Sequence, residues 1–424
     1  MSAKPRVIVF HPQTQHSHFL AVGVQRAGLL EAHITQLYYS PEHWPFNWMK
    51  FLPAHYRQKI DKKLYNRHRA ELDASRVITI NTASELFFVL LNRIRPLRRL
   101  AYRWVLPRVA HRFSRRVGQI ASERADIVIG IDSSSRDAFR ILHKKGVICV
   151  LDQSCAHYST QKRIYEEEKQ LQPLFAETMQ DMNPPDDIVE YARQEVQLAD
   201  FFVVASSFPK QSLIDLGVEP DRIFKVPYGV DLELFKYTER PIRSDNEMRV
   251  LYVGHGDQRK GLGYLLEAIH QLRPDYHITL TLCGRLHPIF AQYERYQGDY
   301  ISLGYVDQLR MPDIYAQSDV FVLPTLADGF SRAIIEAMAS GMPTIGTFHC
   351  GLPDTITDGV EGYVIPIRDV DAIKRHLVEL YDNPAKRREM GRAAHEKVKS
   401  HYSWNNYYDG IARALAEMWE KRQR

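Results

Sequence analysis

Short runs of Val, Ile, Leu and Phe recur along the chain, with longer stretches of helical periodicity between them. Arg6 to Phe10, Val77 to Ile80, Ile127 to Ile131, Val147 to Leu151 and Phe201 to Ala205 read as strands of a first series. Arg249 to Val253, Ile278 to Cys283, Tyr300 to Gly304, Val320 to Pro324, Pro343 to Gly346 and Gly362 to Ile365 form a second. Near-continuous apolar strands alternating with helices predict parallel sheets covered on both faces, an α/β fold. The rhythm breaks at Val226-Pro227-Tyr228-Gly229-Val230-Asp231, where Pro and Gly punctuate the chain. The expected division is therefore a domain over 1–230, a second over 231–404 and a closing helix over 405–424. That helix is signalled by Ile411, Leu415 and Trp419, spaced by four. Residues 157–199 interrupt the alternation as a Glu-rich stretch, read as two helices around Asn183-Pro184-Pro185-Asp186.

Composition agrees with a globular, two-core protein: 424 residues, 45% hydrophobic and 25% charged. No run approaches the ~18 apolar residues of a membrane span. The N-terminus lacks a signal-peptide layout. The four cysteines (Cys149, Cys155, Cys283, Cys350) show neither metal nor disulfide spacing, which points to a reducing cytoplasm. Charge is uneven. Residues 1–125 hold 21 Lys or Arg against 7 Asp or Glu, so the first half expects an anionic partner.

Candidate chemistry concentrates in the second half. The stretch from Leu323-Pro324 through Asp328-Gly329-Phe330-Ser331 to Glu336 and Gly341 reads as strand, polar turn and helix, with Gly341 at the helix end. Such a turn lies at the carboxyl end of a parallel strand, where open α/β sheets bind ligands. Amides of the first helical turn, around Phe330 to Ala333, are expected to point at a diphosphate. Glu336 could accept hydrogen bonds from the vicinal hydroxyls of a ribose, and Asp328 from a sugar. A second strand–loop–helix, Val250 to Gly263, supplies Gly254, His255 and the adjacent cations Arg259 and Lys260, suited to a diphosphate.

Taken together, these motifs resemble the GT-B glycosyltransferases, in particular the retaining family 4. The Val226–Asp231 motif with Phe235, Lys260-Gly261, the acids Asp328 and Glu336, the Glu-Ala-Met-Ala run and Ser403-Trp404 occur in that family's order over roughly residues 200–405. The resemblance implies two Rossmann-like domains facing a cleft, with the C-terminal helix crossing back to the N-terminal domain. It implies Glu336 on the donor ribose, Asp328 on the donor sugar, and Lys260 with Arg259 on the diphosphate. Amides near Gly329, Phe330 and Ser331 would assist, and the base would lie near Tyr305 and Val306. No metal and no cofactor beyond the nucleotide sugar itself are implied. Three residues depart from the pattern: Asp328 stands where Glu is usual, His255 where Arg follows the Gly, and Ser331 where a second Gly is common.

The first half carries fewer signals. His11, His16 and His18 follow the first strand; a polar loop lining the cleft is favoured over a metal site, with His16 and Ser17 as acceptor-side candidates and Ser17 capping the next helix. Asp152 and His157 follow the Val147 to Leu151 strand and are candidates for the acceptor side, His157 also as a base. The segment Arg93 to Arg116 has nine arginines and no acid, a pattern that fits either an anionic membrane surface or a solvated helix. No nucleic-acid motif accompanies it. The implied activity is metal-independent transfer of a sugar, with retention, from a nucleotide diphosphate donor to a glycan or lipid-linked acceptor. The implied location is cytoplasmic, with peripheral contact at the inner membrane face. A nucleotide-sugar epimerase of the same fold and a non-catalytic binding or scaffold protein also fit the residues.

Overall fold

The computed structural model describes residues 4–13, 16–40, 46–57, 64, 67–80, 106–182, 184–240 and 246–423. By contacts the chain forms two compact units. One comprises 1–153, 190–203 and 408–424; the other comprises 154–189 and 204–407. The Glu-rich stretch up to Val189 thus clusters with the second unit, although it precedes the Val226–Asp231 motif.

The first sheet contains β1 (Val7–Phe10), β2 (Leu30–Thr35), β3 (Val77–Thr79), β4 (Ile127–Ile131), β5 (Ile148–Gln153), β6 (Phe201–Val204) and β7 (Ile223–Lys225). Their order is β3-β2-β1-β4-β5-β6-β7. β1 pairs in parallel with β2 and β4, and β4 with β5. Every residue of β1, β4 and β5 is buried, as continuous apolar runs require of a sheet covered on both faces. β2 escapes a pattern search because Glu31 and His33 interrupt it, and β7 because it is three residues long. From Tyr408 onward, the helix Trp404–Gln423 belongs to this unit. Tyr408 and Ile411 pack over Gly23, and the Arg26 guanidinium lies 4.4 Å from the Tyr408 ring centre.

In the second sheet, β8 (Met248–Val253), β9 (Ile278–Cys283), β10 (Tyr300–Gly304), β11 (Val320–Leu323), β12 (Thr344–Thr347) and β13 (Gly362–Ile365) take the order β10-β9-β8-β11-β12-β13. All five neighbouring pairs of this sheet are parallel. Both sheets reverse direction of winding beside their first strand, β1/β4 in one and β8/β11 in the other. Loops leaving such a strand pair diverge above the sheet and open a crevice for ligand. In the second unit those loops are 254–261 and 324–331, the two stretches that carry the candidate chemistry.

Of the basic segment, the apolar positions Leu97, Leu100, Ala101, Trp104 and Val105 lie outside the described residues. From Leu106 the chain is helical to Ala121, with Val109, Phe113 and Val117 buried and Arg108, Arg112, Arg115 and Arg116 exposed. Among the described residues no helix is long and apolar enough to cross a membrane.

Candidate functional site

Two loops of the second unit are stitched together by the Arg259 carbonyl. It accepts the Leu326 N–H at 2.8 Å and the Thr325 hydroxyl at 3.1 Å. The Asp257 carboxylate accepts the Lys260 N–H at 3.0 Å and so caps the tight turn Gln258–Lys260. Gly261 then takes a left-handed φ of 72°, and a β-carbon there would fall inside the Pro324 carbonyl. Only glycine lets the two loops approach this closely.

That approach brings Lys260 and Asp328 into an ion pair between Nζ and Oδ2, with both side chains largely buried. Asp328 is oriented further: its Oδ1 accepts the Gly329 N–H at 3.1 Å, and its own N–H donates to the His349 carbonyl at 2.9 Å. Burial alone would raise the Asp328 carboxyl, but the charges of Lys260 and Arg259 outweigh it and hold the group below the ordinary carboxylate range. Burial likewise opposes the charge on Arg259, which Asp257 and Asp328 more than offset. Its Nη1 reaches the Ala327 carbonyl at 3.4 Å, whereas its Nε is buried without a hydrogen-bond partner. A buried guanidinium with an unspent donor, next to a buried ammonium, is a site that would gain from an anion.

Glu336 sits in the helix Arg332–Ala339. The Tyr315 hydroxyl donates to its Oε2 at 3.1 Å and the Arg332 guanidinium lies 3.6 Å from Oε1. Burial pushes this carboxyl up, against the weaker pull of Arg332 and Tyr315. The two acids thus differ in character: Asp328 is held ionised by cations, and Glu336 is a buried acceptor.

Of the other expected donor contacts, Gly329 has no room for a side chain because the Ser154 carbonyl lies against it. Phe330 is buried, near Tyr228 (ring centres 5.7 Å) and Tyr402 (6.4 Å). The expectation that the Ser331 amide cradles a diphosphate needs correction: it already donates to the Cys350 carbonyl at 3.1 Å. Gly254 donates its N–H to the Cys283 carbonyl, and the His255 side chain is exposed while its carbonyl accepts the Tyr252 hydroxyl at 2.6 Å. Tyr305 is 74% exposed just past β10, with Val306 half-buried beside it.

His157 is fully buried and occupies the cap position of the helix Tyr158–Leu171, where its Nδ1 accepts the Ser159 N–H at 3.2 Å. In the first unit, His16 Nε2 meets Asp152 Oδ2 at 2.8 Å, joining the loop that follows β1 to the carboxyl end of β5. His16, not Ser17, holds the cap position of the helix Ser17–Arg26, and Ser17 is the first helical residue. The neighbouring histidines disperse: His11 bonds the Gln13 carbonyl, and His18 packs edge-on against His33.

Sequence reasoning passed over His349. Its ring Nδ1 donates to the Leu326 carbonyl at 2.7 Å while its own carbonyl holds Asp328, so it braces the acid loop from both ends. Its position directly after β12, next to the reversal of the sheet, was the available signal.

Solved structures share this fold along nearly the whole chain. Sucrose-phosphate synthase from Thermosynechococcus elongatus superposes with a TM-score of 0.64 at 17% identity, covering 99% of both chains. HepE from Anabaena, in complex with UDP and glucose, gives 0.62 at 14% identity, covering 97% of this chain and 100% of that one. The fold is GT-B. Within the GT-B chain, residues 247–383 match the family described as Glycosyl transferases group 1. An MMP alpha-(1->4)-mannosyltransferase from Mycolicibacterium hassiacum is 28% identical over 236 residues, 52% of this chain and 56% of that protein. The Amylovoran biosynthesis glycosyltransferase AmsK of Erwinia amylovora is 27% identical over 224 residues, 50% of this chain and 54% of that protein. The chain spans about half the length of the curated relatives it matches.

Proposed function

We propose that this GT-B chain is a retaining glycosyltransferase that moves a hexose from a nucleotide diphosphate sugar to a glycan or lipid-linked acceptor. The observation that carries the reading is the buried pair of cations, Arg259 and Lys260, held against Asp328 at the sheet reversal. The family match over 247–383 and relatives described as mannosyltransferases support it.

In this reading Arg259 and Lys260 bind the diphosphate and stabilise the charge that builds on it as the sugar departs, so no divalent ion is required. Asp328 holds hydroxyls of the transferred sugar, and Glu336 those of the ribose. The bond from the anomeric carbon to the phosphate oxygen breaks, and a bond to the acceptor oxygen forms on the same face. The acceptor's proton passes to the departing phosphate oxygen, leaving a nucleoside diphosphate. On the acceptor side, the His16–Asp152 pair offers a polar anchor. The exposed arginines of the segment ending at Arg116 would hold the protein on an anionic membrane surface where lipid-linked acceptors reside.

The deciding experiment is a thermal-shift screen against UDP, GDP, ADP and their sugars in EDTA, followed by transfer assays with the donor so identified. A rise with one nucleotide that Glu336→Ala and Lys260→Ala abolish is the expected result. Silence with every nucleotide, with and without magnesium, would sink the reading. Turnover of donor in the absence of acceptor would mark an epimerase instead.

A further inference from the structure

The turn that carries Arg259 and Lys260 is held from below by a fully buried carboxylate, Glu168, on the helix Tyr158–Leu171. Three side chains donate to it: Gln258 Nε2 to Oε1 at 2.6 Å, the Tyr264 hydroxyl to Oε1 at 2.7 Å, and Arg368 Nε to Oε2 at 2.7 Å. Arg368 reaches it from a left-handed backbone, φ 68°, a conformation that residues with a β-carbon rarely adopt. Its guanidinium also donates to the Ile164 carbonyl at 3.1 Å and contacts Glu167 at 3.3 Å. A strained residue gripping one buried acid from several sides is a conformation the surroundings must enforce.

The link to the site runs through Gln258, which is itself fully buried. Its side-chain oxygen accepts the Gly263 N–H at 3.2 Å, so its amide is oriented with the NH2 toward Glu168. Its backbone N–H donates to the Thr178 hydroxyl at 3.0 Å. Every group of Gln258 that could let the turn shift is therefore tied, and the next two residues are Arg259 and Lys260. A neutral amide in place of Glu168 would set an NH2 group against the donors of Gln258, Tyr264 or Arg368.

We propose that Glu168 is a positioning residue for nucleotide-sugar binding: through Gln258 it fixes the turn from which Arg259 and Lys260 engage the diphosphate. This rests on the transferase reading above. It assigns the Glu-rich helix, whose acids otherwise read as a solvated face, a part in donor binding.

The test uses the full chain and compares Gln258→Leu, Glu168→Gln and Tyr264→Phe by titration with the nucleoside diphosphate that shifts the wild type. Gln258→Leu cuts the link but leaves Glu168 and Arg368 paired; Tyr264→Phe removes an equal bond from the same carboxylate without touching the turn. Expected is a loss of about tenfold or more in nucleotide affinity for Gln258→Leu and Glu168→Gln, since small misplacements at a reacting centre are expensive. Tyr264→Phe should stay near wild type, and amide exchange at 259–263 should quicken in the first two only. If either linked variant cannot be purified folded, the other gives the answer. Equal affinities across the set, or equal losses in all three, overturn the positioning role while leaving the transferase reading intact. A wild type that binds no nucleoside diphosphate overturns both.

Discussion

Lys260 and Asp328 form an ion pair between two different loops, and each is also held by a hydrogen bond involving a backbone N–H. Because the partners project from separate loops, the pair reports whether those loops are brought together. In the proposed function it also sets opposing demands, since the ammonium would serve both the carboxylate and an incoming diphosphate. Lys260→Ala should lose about 10²-fold or more in turnover, the usual consequence of deleting one transition-state charge contact. Asp328→Asn should behave differently. It removes a negative charge next to the diphosphate and releases Lys260, so nucleoside diphosphate should bind as well as or better than wild type while transfer falls. Calorimetric titration beside an initial-rate assay separates the two, and parallel loss of binding in both variants would refute this account.

The closeness of the loops depends on Gly261, and a matched control exists elsewhere in the same unit. Gly261 and Gly359 both have left-handed φ, 72° and 79°. A β-carbon at Gly359 meets nothing within 4 Å, whereas at Gly261 it meets the Pro324 backbone. Gly359→Ala should therefore cost only the conformational penalty, about 1 kcal/mol, and keep nucleotide binding. Gly261→Ala should lower the thermal midpoint further and abolish the nucleotide-induced shift. Comparable behaviour of the two variants would show that loop apposition is not what glycine supplies.

How much of this was legible beforehand follows from what kind of signal each part leaves. β11 is a continuous apolar run and β8 and β9 are mostly apolar, and the acids and cations beside them fall at recognisable spacings, so the sheet and the placing of Lys260 and Asp328 beside it could be anticipated. β2 could not, because His33 is buried in the sheet yet polar in sequence. Glu168 was hidden for the opposite reason: it stands in a run of three glutamates that looks solvated. The trace it leaves is a spacing of four from Ile164, which puts both on the buried face of one helix. The Ser331 amide was misassigned because helix N-termini attract anions in general, while here a neighbouring loop, through the Cys350 carbonyl, takes that donor first.

Glu195, in the first unit, makes stability depend on pH in a definite direction. Its carboxylate is fully buried and accepts N–H groups from Ser133 at 2.9 Å, Ser135 at 2.6 Å and Arg136 at 3.3 Å. Burial outweighs those bonds and pushes the group up to about 8. An acid whose folded value exceeds its unfolded one keeps its proton in the native state after the unfolded chain has lost it. Stability then declines as pH rises from the ordinary carboxylate range to about 8. The slope contributed is at most about 1.4 kcal/mol per pH unit. Glu195→Gln carries no titrating proton, so the difference between wild type and variant should shrink steadily over that window. Parallel thermal-midpoint profiles from pH 5 to 8 would contradict the assignment.

Arg240 underlies the carboxylate Glu336 without touching it. The side chain is 7% exposed and donates to five carbonyls: Ser318 at 2.6 Å, Thr238 and Ser340 at 2.7 Å, Gly341 at 2.9 Å and Tyr315 at 3.0 Å. It therefore ties the end of the Arg332–Ala339 helix to Tyr315, whose hydroxyl donates to Glu336. Arg240→Ala strands several buried acceptors at once and leaves a cavity, a loss of about 3 kcal/mol or more. Lysine has only three donors on one nitrogen and cannot reproduce the fork, so Arg240→Lys should fall between. Because Tyr315 orients Glu336, the proposed ribose acceptor, both variants should also weaken nucleotide binding in the same rank order. Measured on folded protein below its midpoint, a ranked loss of stability with unchanged nucleotide affinity would confine Arg240 to packing alone.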